Sequence, residues 1–202
     1  NYSDWQAIPK DTMENYRLVS DIDFKDRVNV NTNVSLGRLE SVNGKHKLKN
    51  FTSKNKVNEF LIESISLSLK NIIFENIEIS NSSTMVGAMI QTFSGEMDGV
   101  LFQNINIDTP RASYSGSIGY VIDGIKMDHI TLRDVTINGG TYTGGLFAYG
   151  TGYLFNLDAQ NIHTIGNGYN MNPSTNAMVG GIIGYLMDKG GNHSNIHLRE
   201  ID

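Results

Sequence analysis

Apolar residues recur along this chain in short windows separated by an almost constant step. Ile72-Ile73-Phe74-Glu75-Asn76-Ile77, Val100-Leu101-Phe102-Gln103-Asn104-Ile105, Ile130-Thr131-Leu132-Arg133-Asp134-Val135, Leu157-Asp158-Ala159-Gln160-Asn161-Ile162 and Ile196-His197-Leu198-Arg199-Glu200-Ile201 align under one another, with starts 28, 30, 27 and 39 residues apart. Positions one, three and six are apolar, and position five is Asn, Asp or Glu. Alternation over the first three positions predicts a strand with one buried face, and the change of phase before the sixth predicts a bend. Lys47-Leu48-Lys49-Asn50-Phe51 is a weaker earlier copy.

A second, different motif keeps the same beat. Gly87-Ala88-Met89-Ile90, Gly116-Ser117-Ile118-Gly119-Tyr120, Gly145-Leu146-Phe147-Ala148-Tyr149 and Gly181-Ile182-Ile183-Gly184-Tyr185 have leading glycines 29, 29 and 36 residues apart. Recurrence at this period marks a repeat architecture, in which each unit buries its apolar face only by stacking on its neighbours. Richness in Ile, Val, Thr, Phe and Asn disfavours helical repeats, and propeller blades need a longer unit. The pattern therefore predicts an all-β fold, a single-stranded parallel β-helix (β-solenoid) of about 28 to 30 residues per coil, with two or three strands in each. Six to seven coils over residues 15–202, stacked at strand spacing, would form a rod on the order of 30 Å long. Residues 1–14 break the beat and read as a short N-terminal cap, in which Ser3-Asp4-Trp5-Gln6 resembles a capping box and Trp5 and Ile8 are placed to cover the first coil. No such cap is visible at the other end, so the stack is expected to continue or be capped beyond the fragment.

Composition narrows the function. Formal net charge is −5, and the basic residues are scattered, which argues against a nucleic-acid surface or an anionic membrane surface. Cysteine is absent, which excludes disulfides and thiolate metal sites, and no apolar run is long enough to span a bilayer. The sequons at Asn33, Asn50, Asn81 and Asn192 are expected by chance in so Asn- and Ser-rich a chain.

The segments Gly116-Ser117-Ile118-Gly119, Gly145-Leu146-Phe147-Ala148 and Gly181-Ile182-Ile183-Gly184 resemble the GLUG motif of bacterial surface proteins. Trp5, the stretch Asn15-Tyr16-Arg17-Leu18-Val19-Ser20-Asp21-Ile22-Asp23-Phe24, and Leu39-Glu40-Ser41-Val42-Asn43-Gly44-Lys45-His46 are similar to the opening of the β-helical N-terminal region of the streptococcal IgA1-protease family of zinc metallopeptidases. Gly87-Ala88-Met89-Ile90 lacks the last glycine of the motif, and Gly44-Lys45-His46-Lys47 matches the family's turn loosely. The resemblance implies an extracellular parent enzyme, cell-wall-associated or secreted, with its zinc site downstream. It implies no catalytic residue or cofactor in this fragment, and it implies as partners a host protein such as IgA1 and other domains of the same chain.

The chain's own chemistry is sparse. His193 and His197 have the spacing of a helical zinc motif but lack the glutamate beside the first histidine, and they lie in a strand, where residues four apart are ~13 Å from each other. His46, His129 and His163 are isolated and read as turn or surface residues. Asp123, Lys126, Asp128, Arg133, Asp134 and Asp158 are the residues a glycan-cleaving β-helix would need to gather, yet they fall in different columns of the repeat. Candidate binding residues are of two kinds. Tyr120, Tyr149 and Tyr185 hold the same place in successive coils and are expected to stack. Tyr169, Asn170, Met171 and Asn172 lie in an insertion between Gly145 and Gly181, where a loop projecting from the stack is free to bind. A substrate-recognition or positioning module follows as the leading expectation, with an adhesin stalk or a glycan-active enzyme as alternatives.

Overall fold

The computed structural model describes residues 1–10, 12–27, 29–56, 60–82, 85–122, 126–168, 177–187 and 193–202, with residues 55 and 56 described for backbone alone. A helix, α1 (Tyr2–Gln6), is followed by a partial opening turn, β1 (Glu14–Leu18) and β2 (Ile22–Asp23). The next two turns hold β3 (Val34–Ser41) with β4 (His46–Lys56), then β5 (Ile62–Lys70) with β6 (Ile72–Asn81). Two more hold β7 (Val86–Phe93), β8 (Glu96–Asp98) and β9 (Leu101–Asp108), then β10 (Tyr114–Val121), β11 (Lys126–Asp128) and β12 (Thr131–Gly139). A fifth holds β13 (Tyr142–Gly150) and β14 (Tyr153–Gly166), and a closing turn holds β15 (Met178–Gly180), β16 (Ile183–Leu186) and β17 (Ser194–Ile201).

All pairings between rungs are parallel, and they define a β-solenoid of about 5 turns with partial turns at its ends. One ladder runs through β1, β3, β5, β7, β10, β13 and the β15–β16 pair. A second runs through β2, β4, β6, β9, β12, β14 and β17. Between them a short third face joins the end of β5 to β8, β11 and the start of β14. From β7 onward each coil therefore has three faces. At the corner between β7 and β8, Gly95 has φ +115°, and a Cβ there would collide with the Leu67 carbonyl, so the corner requires glycine.

The bend anticipated in the hexads has a simple backbone cause. Asn50, Asn76, Asn104, Asp134, Asn161 and Glu200 all have φ between 53° and 61°, in the left-handed region that Asn and Asp tolerate best. That one residue reverses the alternation of the strand, so the next side chain turns inward. Ile77, Ile105, Val135 and Ile162 are buried for this reason, beside Phe74, Phe102, Leu132 and Ala159 from the third position. Phe74 and Phe102 stack with ring centroids 5.3 Å apart, one rung above the other.

The asparagines at the bend bond to one another. Asn50 donates to Asp23 at 2.8 Å, Asn76 to Asn50 at 2.9 Å and Asn104 to Asn76 at 2.9 Å. Asn161 donates to Asp134 at 2.8 Å, but a carboxylate has no proton to pass on, and no bond joins Asp134 to Asn104 among the described residues. A second left-handed column, Asn71, Gly99, His129, Asn156 and Asn195, marks the corner just before the hexads. Within it Asn195 donates to Asn156 at 2.9 Å, and Asn156 donates to Asp128 at 2.7 Å.

At the N-terminal end the cap begins earlier than Ser3. Asn1 is the N-cap and Asp4 completes the capping box, because the helix already starts at Tyr2. Trp5 is buried, packs edge-to-face on Phe24 at 5.5 Å, and its indole N–H donates to the Asn31 carbonyl at 2.8 Å. Together with Ile8 it covers the first turn.

Candidate functional site

The outer side of the first ladder departs most from a flat sheet. Tyr114 and Tyr120 lie six residues apart, which in a straight strand would separate them by ~20 Å. Their ring centroids are 6.0 Å apart, edge-to-face. The strand is folded between them, at Gly116-Ser117-Ile118-Gly119, into a concavity that faces outward.

Glycine is needed because the floor of this fold is backbone against backbone. A Cβ on Gly116 would lie 2.8 Å from the Gly144 carbonyl oxygen and 3.1 Å from the Ala148 nitrogen. One on Gly184 would lie 2.5 Å from the Ala148 carbonyl oxygen and 2.7 Å from the Thr143 nitrogen. The rungs do not align on the leading glycines as the sequence spacing suggests. Gly116 pairs with Ala88 and Gly144, and Gly144 pairs with Gly180, while Tyr120 pairs with Tyr149 and Tyr149 with Tyr185. A register shift between Gly116 and Ile118 absorbs the extra residue that β13 carries across the bend.

Tyrosines fill the concavity. Tyr120 stacks on Tyr149 at 5.3 Å and Tyr149 on Tyr185 at 5.2 Å, forming one wall. Tyr114 stacks on Tyr142 at 5.3 Å on the other wall. Edges of one wall meet faces of the other, at 5.5 Å for Tyr114 with Tyr149 and 5.2 Å for Tyr142 with Tyr149. Such offset and edge-on contacts match the ring quadrupoles. Stacked faces are covered by neighbouring rings, so the surface offers partners ring edges and hydroxyls. Burial, and then the neighbouring phenols, hold Tyr114 and Tyr149 above the ordinary tyrosine value. The Tyr149 hydroxyl donates to the Met187 sulfur at 3.1 Å.

Tyr114 and Tyr142 were not among the sequence candidates. Their signal is an aromatic residue two positions before a glycine, in Tyr114-Ser115-Gly116 and Tyr142-Thr143-Gly144, with Met178-Val179-Gly180 as the next copy. Tyr169, Asn170, Met171 and Asn172 lie outside the described residues, as does Asp123.

The remaining charged candidates resolve into local pairs. Lys126 meets Asp128 at 2.9 Å, Arg133 pairs with Asp158, and Asp134 holds the Asn161 amide. Hydrogen bonds from Lys126 and Asn156 keep Asp128 below the ordinary aspartate value, and the Arg133 guanidinium does the same for Asp158. His129 sits 3.0 Å from Asp98 and 3.1 Å from Asp128 at an exposed corner. His193 accepts the Leu154 N–H through Nδ1 at 3.1 Å, while His197 pairs in register with Asp158 on the rung before it. Among the described residues no group of three His, Asp or Glu side chains is arranged to hold a metal ion.

Fold and surface together define the class of the protein: a parallel β-solenoid with a glycine-folded face whose outward concavity is packed with tyrosine. A scan against protein-family models finds no match to the chain, and searches of curated proteins and of solved structures likewise find none.

Proposed function

We propose that this chain is a non-catalytic recognition or positioning module, which holds a host protein such as IgA1 for an active site elsewhere in a large extracellular zinc metalloprotease resembling the IgA1-protease family. The observation that supports it is the folded outer face with its five interlocked tyrosines, a surface set in place before any partner arrives. A partner then binds with little ordering entropy lost from this side. Lys126, Asp128, Arg133, Asp134 and Asp158, by contrast, are engaged in separate local pairs and do not converge as acid, base and nucleophile. The family context rests on the glycine motifs and the N-terminal segment, and the zinc belongs to the parent enzyme.

The test is binding of the isolated domain to immobilised human IgA1, with IgA2 and IgG as controls. Selective binding that weakens in a Tyr120→Ala, Tyr149→Ala double variant supports recognition by the folded face, whereas weakening only in a Tyr169→Ala, Met171→Ala variant would move the surface to the insertion. Equal or absent binding to all three contradicts it. A spacer within an adhesin is the second reading, favoured by the mutual covering of the tyrosine ring faces. The reading frame around the domain separates the two, since a downstream His-Glu-x-x-His belongs to the first alone.

A further inference from the structure

The tyrosine-filled concavity ends at Tyr114 and Tyr120, although the folded face continues toward the N-terminal end. Tyr114 pairs there with Val86, and Tyr120 with Thr92, which in turn pairs with Ser64. Val86, Thr92 and Ser64 put no ring at these paired positions, and an open pocket of about 320 Å³ takes the place of the herringbone. Phe60, Met85 and Val86 supply its apolar lining, and Glu63 and Gln91 its polar side. The apolar wall is fixed in place. Phe60 and Asn33 exchange two hydrogen bonds, Phe60 N–H to the Asn33 side chain at 3.0 Å and Asn33 N–H to the Phe60 carbonyl at 3.0 Å. Phe60 also packs with Val86, Ala88 and Tyr114 in a small cluster separate from the main core.

Glu63 gives this pocket its chemistry. It is half-buried and makes no ion pair or hydrogen bond among the described residues, whereas Glu75, Glu78 and Glu96 are each held by a lysine on a neighbouring strand. No Lys or Arg lines the pocket. We propose that it is a subsite for an arginine side chain of a partner polypeptide. The guanidinium would meet the Glu63 carboxylate and the Gln91 amide oxygen, and the aliphatic stem would lie along Met85 and Val86 against the Phe60 wall. Arginine fits better than lysine because its planar guanidinium presents several donors in a fixed fork that can be shared between a carboxylate and an amide. A net charge of −5 favours the approach of such a partner. The proposal rests on reading the chain as a recognition module, but it does not depend on which protein is recognised.

The test titrates the whole 202-residue chain with Nα-acetyl-arginine N-methylamide, following backbone amide NMR shifts, with the citrulline counterpart as an isosteric neutral control. Saturable shifts are expected at residues 60–63 and 85–91, with the arginine compound binding at least about tenfold tighter than the citrulline one. Glu63→Gln should remove that preference while leaving the spectrum otherwise unchanged. Equal binding of the two compounds to the native chain, shifts centred elsewhere, or an unaltered preference in Glu63→Gln would each overturn the assignment. Failure with IgA1 but success here would discard the named partner and keep the arginine subsite. The reverse result would keep recognition and discard the subsite.

Discussion

Replacing Asn76 separates the two roles that the bend asparagines combine. Asn76 holds φ at 55°, donates to Asn50 and accepts from Asn104, both at 2.9 Å. Asn76→Gly keeps the left-handed backbone and removes the two side-chain bonds. Because these are exposed, the low end of the usual range applies, and the loss is about 1 kcal/mol. Asn76→Ala loses the same bonds and also places a Cβ in the left-handed region, which adds about 1 kcal/mol more. For a chain of this length the thermal midpoint falls by about 2–4 °C per kcal/mol. The glycine variant should therefore melt a few degrees below the native chain, and the alanine variant about twice as far below it. Circular dichroism melts at matched concentration measure both, with urea unfolding as a check that the repeat unfolds as one unit. An alanine variant as stable as the glycine variant would show that the bend does not demand the left-handed residue, and the account of the repeat would fail.

Asp134→Asn should raise stability by about 0.5 kcal/mol in the same melts, because it supplies the donor that the Asn104 oxygen lacks on its far side. Phe102→Ala, which empties a fully buried stacked position, should cost about 3–5 kcal/mol in urea unfolding. Asp23 is held below the ordinary aspartate value of 3.8 by the Asn50 amide and then the Lys25 N–H, and Asp128 by Lys126 and then Asn156. Folded values below unfolded ones mean stability that is present above 3.8 and is lost as pH falls through the folded values, so the melting temperature should decline in that acid range. Tyr114 and Tyr149 act in the opposite direction. Their raised values mean stability that is complete below 10.0 and is lost as pH rises through the folded values, with phenolate absorbance appearing later than in the unfolded chain.

Much of the fold was legible because the repeat writes its geometry into residue types. Position five of each hexad is Asn or Asp in most copies since few other L-residues accept positive φ, and that polarity made the bend visible before its dihedral angle was known. The glycine column was legible as a column but not as a register. Spacing aligns Gly116 with Gly145, whereas backbone pairing aligns it with Gly144, because a bulge in one rung costs a residue that a count along the chain cannot locate. The same bulge hid the tyrosine surface. Tyr120 and Tyr149 were found from their constant offset, but that Tyr114 and Tyr142 turn back to meet them depends on how sharply the strand folds at its glycines. The pocket at Glu63 had no sequence signal, since it opens where Val86, Thr92 and Ser64 stand in the places that tyrosines take on later rungs.

The claim that this solenoid recognises a protein by its folded outer face is tested most directly by hydrogen–deuterium exchange on the domain with and without saturating IgA1. The account predicts added protection in 114–121 and 142–150 and none on the opposite ladder at 72–77 and 100–105. Protection confined to that asparagine-bearing ladder, or no change anywhere under conditions where IgA1 is bound, would contradict it.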